Sequence, residues 1–354
     1  MTTIKTEKLL TDAIDFHGKS AERIVRSYIK SHESADQYAS NDFSFETLHG
    51  GFSGTPILRF NLENRSFVLR LFKPEIEESD KILQLQNARL AGELGIGPKV
   101  LFADPKMEGF IMDFIPGRTV TNEDFKSEEN LEKLALLLNK LHGSQQSLSF
   151  AKHPIQMFYR FIENGKKRST PYPSQINEVI RIMQGIEIAL KRNTVTFVPC
   201  HLDVNSQNLM LHENEFLLID WEVGGLSDLY FDLSMFSVFL RLNESLERIF
   251  LEIYFKRIPS KQEWYRYIVS QPICLFLRAA VFLSKPGEHK SAEYFDNTIS
   301  KHEVPSFSEL IQLHQESRLH LPRWMIGLGM MQGGIYLVKS DRYQEAIQKI
   351  HNDK

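Results

Sequence analysis

Residues 199–220 read PCHLDVNSQNLMLHENEFLLID, and this stretch decides the fold. Its first part sets His201, Asp203 and Asn208 at fixed offsets in a polar turn. Its second part is two short apolar runs, NLMLH and EFLLID, with ENE between them as a turn. Apolar alternation on both sides of a polar turn predicts a β-hairpin. Asp220 then arrives at the end of that hairpin, 12 residues after Asn208. The spacing has a chemical meaning. In phosphoryl transfer one carboxylate accepts the proton of an attacking hydroxyl, while a second carboxylate and an amide oxygen hold magnesium against nucleotide phosphates. Asp203 is the candidate base. Asn208 and Asp220 are the candidate Mg²⁺ ligands, hard oxygen donors of the kind this ion takes. The plain alternative is that His201 packs, Asp203 caps a turn and Asp220 merely ends a strand.

Upstream, residues 43–116 have the texture of a small antiparallel lobe. FSFETLHGG, TPILRFNL and SFVLRLF are short, alternating or β-branched, and they are joined by GGFSG and ENR, which predicts three antiparallel strands. Ile76 to Leu94 returns to helical spacing and stops at GIGP, where glycine permits a left-handed cap and Pro98 forbids continuation. Two more strands, Lys99–Ala103 and Gly109–Phe114, complete five strands and one helix. The glycines of Gly50-Gly51-Phe52-Ser53-Gly54-Thr55 let backbone N–H groups approach phosphates without Cβ obstruction, although a hairpin alone also explains them. Gly51, Ser53 and Thr55 are therefore candidate ATP-phosphate contacts. Arg70, on the third strand, is the candidate cation for the α- and β-phosphates, and the Asp113-Phe114-Ile115 segment sits where a backbone hinge would bond adenine through Asp113 and Ile115.

After Pro116-Gly117 the chain is mostly helical. LEKLALLLNKLHG places leucines on one face and ends at Gly143; segments 153–168 and 174–192 read as helices; residues from Asp228 onward read as helices with breaks near Pro259, Pro286, Pro305 and Pro322. The expected organisation is a polar lead-in with one short helix over 1–42, a nucleotide-binding lobe over 43–116, and a helical lobe over 117–354 that carries the catalytic loop and substrate pocket.

Composition narrows the classes. With 42 Lys+Arg against 45 Asp+Glu the formal charge is −3, which excludes a strongly basic nucleic-acid binder. No run approaches the roughly 20 uninterrupted apolar residues of a membrane span, and the first residues carry acids where a signal peptide needs an apolar core. A cytoplasmic location without membrane insertion is expected. Cys200 and Cys274 are too few for a disulfide scaffold and lack zinc-ligand spacing.

With these motifs in view, the chain resembles the aminoglycoside phosphotransferase and choline/ethanolamine kinase superfamily, and within it the bacterial LicA-type choline kinases. The resemblance covers most of residues 43–255 and rests on GGFSG, FVLRLF, GIGPKVLF, MDFIPGRTV and LNKLHG, and above all on PCHLDVNSQNLMLHENEFLLIDWEVGGLSDLYFDLSMF. It implies an α+β, protein-kinase-like bilobal fold: a small five-stranded antiparallel N-lobe with one helix and a larger, mostly helical C-lobe. It also implies ATP and Mg²⁺ as cofactors and phosphorylation of a small-molecule hydroxyl. Choline or a related amino alcohol is the first expectation, and an aminoglycoside or thiamine the alternative. An idle kinase fold used as a binding module would be marked by loss of Asp203, Asn208 or Asp220, and all three are present.

Carried over by position, Arg70 stands where many relatives have lysine, Glu222 falls in the WE pair of the choline-kinase branch, and Asp232 matches the FD that opens the following helix. Asp232 is expected to brace the catalytic loop through backbone hydrogen bonds rather than touch substrate, and His201 and Glu222 are expected to support the loop or the substrate. Two departures stand out. The helix glutamate that pairs with the strand cation has no clean counterpart, because mid-helix positions hold Gln84 and Gln86. The carboxylate that choline kinases place seven residues after the Asp of FD is Phe239 here. A cation could instead meet aromatic faces, yet Tyr254, Trp264, Tyr265, Tyr267, Phe276 and Trp324 at helical spacing are expected to be mostly core. Nothing in the sequence specifies an oligomeric state.

Overall fold

A computed structural model describes residues 18–31, 44–48, 57–144, 151–191, 196–285, 290–315 and 321–352. The chain divides into two compact units, one running to Val120 and including Gln207–Val223, the other formed by Thr121–Ser206 and the residues from Gly224 onward.

The first unit is built on a five-stranded antiparallel sheet with strand order β1-β2-β3-β5-β4. Its strands are β1 (Glu46–Thr47), β2 (Ile57–Leu62), β3 (Arg65–Leu71), β4 (Val100–Ala103) and β5 (Gly109–Asp113). Alternation along β3 sends Phe67, Leu69 and Leu71 to one face. There they form a core with Phe60, Ile111 and the helix α1 (residues 18–31), which contributes Ala21, Ile24, Val25, Tyr28 and Ile29. Arg23 ties α1 to the β4–β5 turn through Asp104 at 2.7 and 2.8 Å and Glu108 at 2.9 Å. The N-terminal helix is therefore a structural member of the sheet unit. Helix α2 (Glu78–Glu93) ends near Gly95, whose φ of 63° requires the left-handed region.

Three further strands extend the account. The predicted hairpin forms as β8 (Leu209–His212) and β9 (Glu215–Leu218), turning through Glu213 and Asn214, both with positive φ. A short strand absent from the sequence reading, β6 (Arg118–Thr119), pairs with β8. The expected division after residue 116 assigns 207–223 to the helical lobe; by compactness that segment belongs with the sheet unit. Gly97 shows why. A Cβ there would lie 2.7 Å from the Leu218 carbonyl, and the Ile96 carbonyl accepts the Leu218 amide at 2.7 Å. Gly97 thus serves close approach to β9, while Gly95 alone supplies the left-handed turn.

The second unit contains α3 (Glu128–His142), α4 (Pro154–Lys167), α5 (Ile176–Lys191), β7 (Val198–Cys200), β10 (Gly225–Ser227) and α6 (Leu229–Phe239). The helices α7 (Glu244–Phe255), α8 (Lys261–Leu283), α9 (Ala292–Ser300), α10 (Phe307–Gln315), α11 (Arg323–Val338) and α12 (Asp341–Asn352) follow. The two-stranded β7–β10 pair was only half legible, since GLS carries no strand pattern. Helix α8 is the centre. It starts with a capping box between Ser260 and Glu263 and runs through Pro272 without ending. Its mean hydropathy of 1.4 over an 18-residue window matches a membrane span, but 89% of that window is buried inside the unit. α11 reaches it closely through glycine: a Cβ on Gly334 would lie 2.5 Å from the Phe276 ring. Tyr254, Trp264, Tyr267, Phe276 and Trp324 are buried, as packing aromatics.

Candidate active site

In the first unit, β3 and the β9 exit converge on one cation. Arg70 lies on the face of β3 opposite the α1 core and is 4% exposed. Its Nη1 donates to Asp220 Oδ1 at 2.9 Å and its Nη2 to Glu222 Oε2 at 2.9 Å. Two carboxylates on one fork satisfy a buried guanidinium that would otherwise be costly. Asp220 adopts φ of 62°, the left-handed conformation that ends the hairpin. Trp221 then turns inward, donating its indole N–H to the Leu218 carbonyl at 3.0 Å, so Asp220 and Glu222 emerge on the same side of the chain's exit. Their side chains are 26% and 27% exposed.

The helix acid missing from α2 is thus replaced from another element. Gln84 lines the same pocket as Arg70, Asp220 and Glu222, and its Oε1 is buried without a hydrogen-bond partner among the described residues. The signal for this substitution was present in the sequence, as an acid two residues beyond Asp220 combined with amides in mid-helix. Asn208 is buried, and its carbonyl accepts the Ile219 amide at 2.9 Å, which fixes it across the hairpin from the residue preceding Asp220.

The strand end proposed for adenine is partly engaged. The Asp113 amide donates to the Lys99 carbonyl at 3.0 Å, its carboxylate accepts from Arg65 at 3.3 Å, and the Ile115 carbonyl accepts the Gly117 amide at 2.9 Å. Gly51, Ser53 and Thr55 lie outside the described residues.

In the second unit, the segment leaving β7 is clamped by one carboxylate. Asp232, in the first turn of α6 and fully buried, accepts the His201 amide on Oδ2 at 2.7 Å and the Leu202 amide on Oδ1 at 2.7 Å. His142, the histidine of LNKLHG, reaches the same Oδ2 with Nε2 at 3.2 Å and meets the Tyr254 hydroxyl with Nδ1 at 2.7 Å. Burial pushes the Tyr254 phenol far above its ordinary value, so it remains protonated. Leu202 takes φ of 64°, and the Asp203 amide donates to His201 Nδ1 at 3.2 Å. These bonds leave little freedom in the backbone that carries Asp203. Cys200 stands beside them with its thiol pushed well up by burial and then by Asp232 and Asp228, which rules it out as a thiolate nucleophile at neutral pH.

Asn205 Nδ2 donates to Asp203 Oδ1 at 2.6 Å, and Arg278 of α8 pairs with the same oxygen. Arg278 was not singled out from the sequence. The available signal was a solitary charge inside the apolar run CLFLRAAVFL. Phe239 is buried at the end of α6 with its ring edge-to-face with Phe307 at 5.5 Å, so it is a packing residue.

A sequence profile of the family described as choline/ethanolamine kinase matches residues 45–271, well over half the chain. This chain belongs to the choline/ethanolamine kinase family. Among its relatives, a LicA homologue of Metamycoplasma hominis is 27% identical over 267 residues, covering 72% of this chain and 98% of that protein. Among solved structures, a choline/ethanolamine kinase family protein from Mesorhizobium loti superposes with a TM-score of 0.67 at 20% identity, covering 93% of this chain and 98% of that one. The choline kinase LicA of Streptococcus pneumoniae superposes with a TM-score of 0.61 at 16% identity, covering 94% and 100%. The α+β fold is thus the kinase-like fold of the family, and the protein is a small-molecule kinase.

Proposed function

We propose that this family member transfers the γ-phosphoryl group of ATP, with Mg²⁺, to a hydroxyl of a small metabolite, choline or a related amino alcohol in the first place. The observation that carries the reading is a carboxylate, Asp203, presented on a segment whose two preceding amides are clamped by buried Asp232. A proton acceptor needs that rigidity, because effective general-base catalysis depends on a fixed approach to the hydroxyl. Asp203 accepts the proton as the acceptor oxygen bonds to phosphorus. The bond from that phosphorus to the bridging oxygen breaks, and ADP leaves.

The donor set of the first unit suits Mg²⁺. Asp220 and Glu222 are part-exposed carboxylates, and Asn208, bonded through its backbone to the residue before Asp220, brings an amide oxygen, so all three are hard oxygen donors. Asn208 and Asp220 would hold the ion, which when bound neutralises phosphate charge. Arg70 would exchange Asp220 for the α- and β-phosphates while Glu222 keeps its fork aimed, and residues 51–55 would offer backbone and hydroxyl donors to the same chain of phosphates. At Asp113 the amide is already spent on Lys99, which leaves its carbonyl and the Ile115 amide as the backbone atoms for adenine. His201, Glu222 and Asp232 act in support, as loop brace and cation partner. The amino-alcohol preference is supported by family membership. Position 239 adds nothing to it, since Phe239 brings no charge.

The decisive experiment measures ADP release with ATP and Mg²⁺ across choline, ethanolamine, thiamine and aminoglycosides. Choline or ethanolamine should give the highest kcat/KM, and Asp203→Ala should lower kcat by about 10²- to 10⁴-fold. Release no faster than the acceptor-free background for every compound would remove the reading.

A further inference from the structure

We infer that Arg278 is the positioning residue of Asp203: its guanidinium, set on the central helix α8, fixes the carboxylate that takes the proton. The inference rests on the kinase reading of Asp203 and adds a residue to it.

Three observations carry it. Arg278 Nη2 and Asn205 Nδ2 converge on one oxygen, Asp203 Oδ1, and two donors on one oxygen set both the plane of the carboxylate and the direction of Oδ2. The backbone before Asp203 is held separately by Asp232, so side chain and main chain are fixed by different elements, α8 and α6. Arg278 is also the lone charged residue in 267–283, flanked by Leu275, Phe276, Leu277 and Ala279, all buried. A cation in such surroundings is expensive and persists only with a partner. Burial holds the guanidinium down to about 10, still charged at neutral pH. Packing would be served better by leucine at that position, so an arginine there points to work done on Asp203.

The groups facing Asp203 define what its ionisation responds to. Among the described residues they include Arg278 from α8 and His201 on its own segment, with Asp232 from α6 and His142 from α3 behind the segment. Of these, Arg278 is the cation in contact with the carboxylate. An adjacent arginine favours the ionised form of an aspartate. A low proton affinity is tolerable in this reaction, since the transferred group passes through a loose transition state and the carboxylate's main service is alignment.

The test uses the full chain with ATP, Mg²⁺ and whichever of choline, ethanolamine, thiamine and the aminoglycosides gives the fastest turnover, read as ADP release above the acceptor-free background against pH, beside thermal unfolding of the same variants. Arg278→Met should move the acidic limb of kcat/KM upward and lower kcat at least tenfold, with the KM for ATP within twofold of wild type. Arg278→Lys should restore the limb and only part of kcat, because lysine is a point charge without a fork. In an Asp203→Asn background Arg278→Met should have no further effect on kcat, and the double variant should melt above Asp203→Asn alone, the stranded cation having been removed. An unmoved acidic limb, additive losses in kcat, or additive losses in melting temperature would each overturn the proposal. A wild type whose ADP release stays at the acceptor-free background with every acceptor at every pH would instead overturn the kinase reading of Asp203 and the catalytic part of the inference with it.

Discussion

Arg70 shows how much of the chemistry depends on single atoms. Its fork is shared by Asp220 and Glu222 at equal 2.9 Å distances, across 150 and 152 residues of chain. If Glu222 keeps the guanidinium aimed while Asp220 turns to metal, Glu222→Gln removes a charge-assisted bond worth about 1.5 to 3 kcal/mol, which is roughly a 10- to 100-fold effect. The KM for ATP should rise by about that factor, as read from steady-state ADP release, and the melting temperature should fall, because the buried guanidinium loses one of its two carboxylates. An unchanged KM would separate Arg70 from phosphate binding. The sequence named Arg70, Asp220, Glu222 and Asp232 one by one because each sits in a short motif. It could not show that the first three meet, since pairing across 150 residues leaves no local pattern. Arg278 stayed hidden for a related reason: an arginine on an apolar stripe reads as a helix edge until its partner is known.

Elements were legible wherever periodicity was strong and breakers were clear. The α2, α3, α4 and α5 helices and the β8–β9 hairpin fall within a few residues of expectation, while the two- and three-residue strands β6 and β10 carry too few side chains to show a period. The corner between α7 and α8 yields a pH prediction. Glu263 closes the capping box with Ser260 and accepts two bonds from Arg257, each at 2.7 Å. Chiefly through Arg257, its carboxyl is drawn down to about 2 from the ordinary 4.5. A depressed folded value means the stabilisation is fully present above about 4.5 and is lost as pH falls through about 2. Glu263→Gln should lower the melting temperature at pH 7 by about 2 to 4 °C, the equivalent of a helix cap near 1 kcal/mol. The gap between variant and wild type should close between pH 4.5 and 2, as followed by circular dichroism. A gap independent of pH over that range would assign the effect to packing alone.

At the scale of the whole molecule the two units are woven from alternating segments: the chain leaves the first at Val120, returns for Gln207–Val223 and leaves again. The first unit is therefore incomplete as a contiguous piece. Val120 donates its amide to Leu209, β6 pairs with β8, and Ile96 accepts from Leu218, so residues 1–120 alone would leave these groups unpaired. That fragment should unfold without cooperativity in urea, whereas 1–120 joined by a short linker to 207–223 should regain a sigmoidal transition; cooperative unfolding of the short fragment would refute this account. Bulk composition gave no hint of this interleaving, which is a matter of which strand a distant hairpin joins. The same ordering bears on biogenesis through α8. Its apolar length emerges during translation some 40 residues before α11, the helix whose glycines accept it, begins at Arg323. For that interval α4 and α6, already synthesised, can cover part of α8, and the face that α11 later takes stays open on the nascent polypeptide.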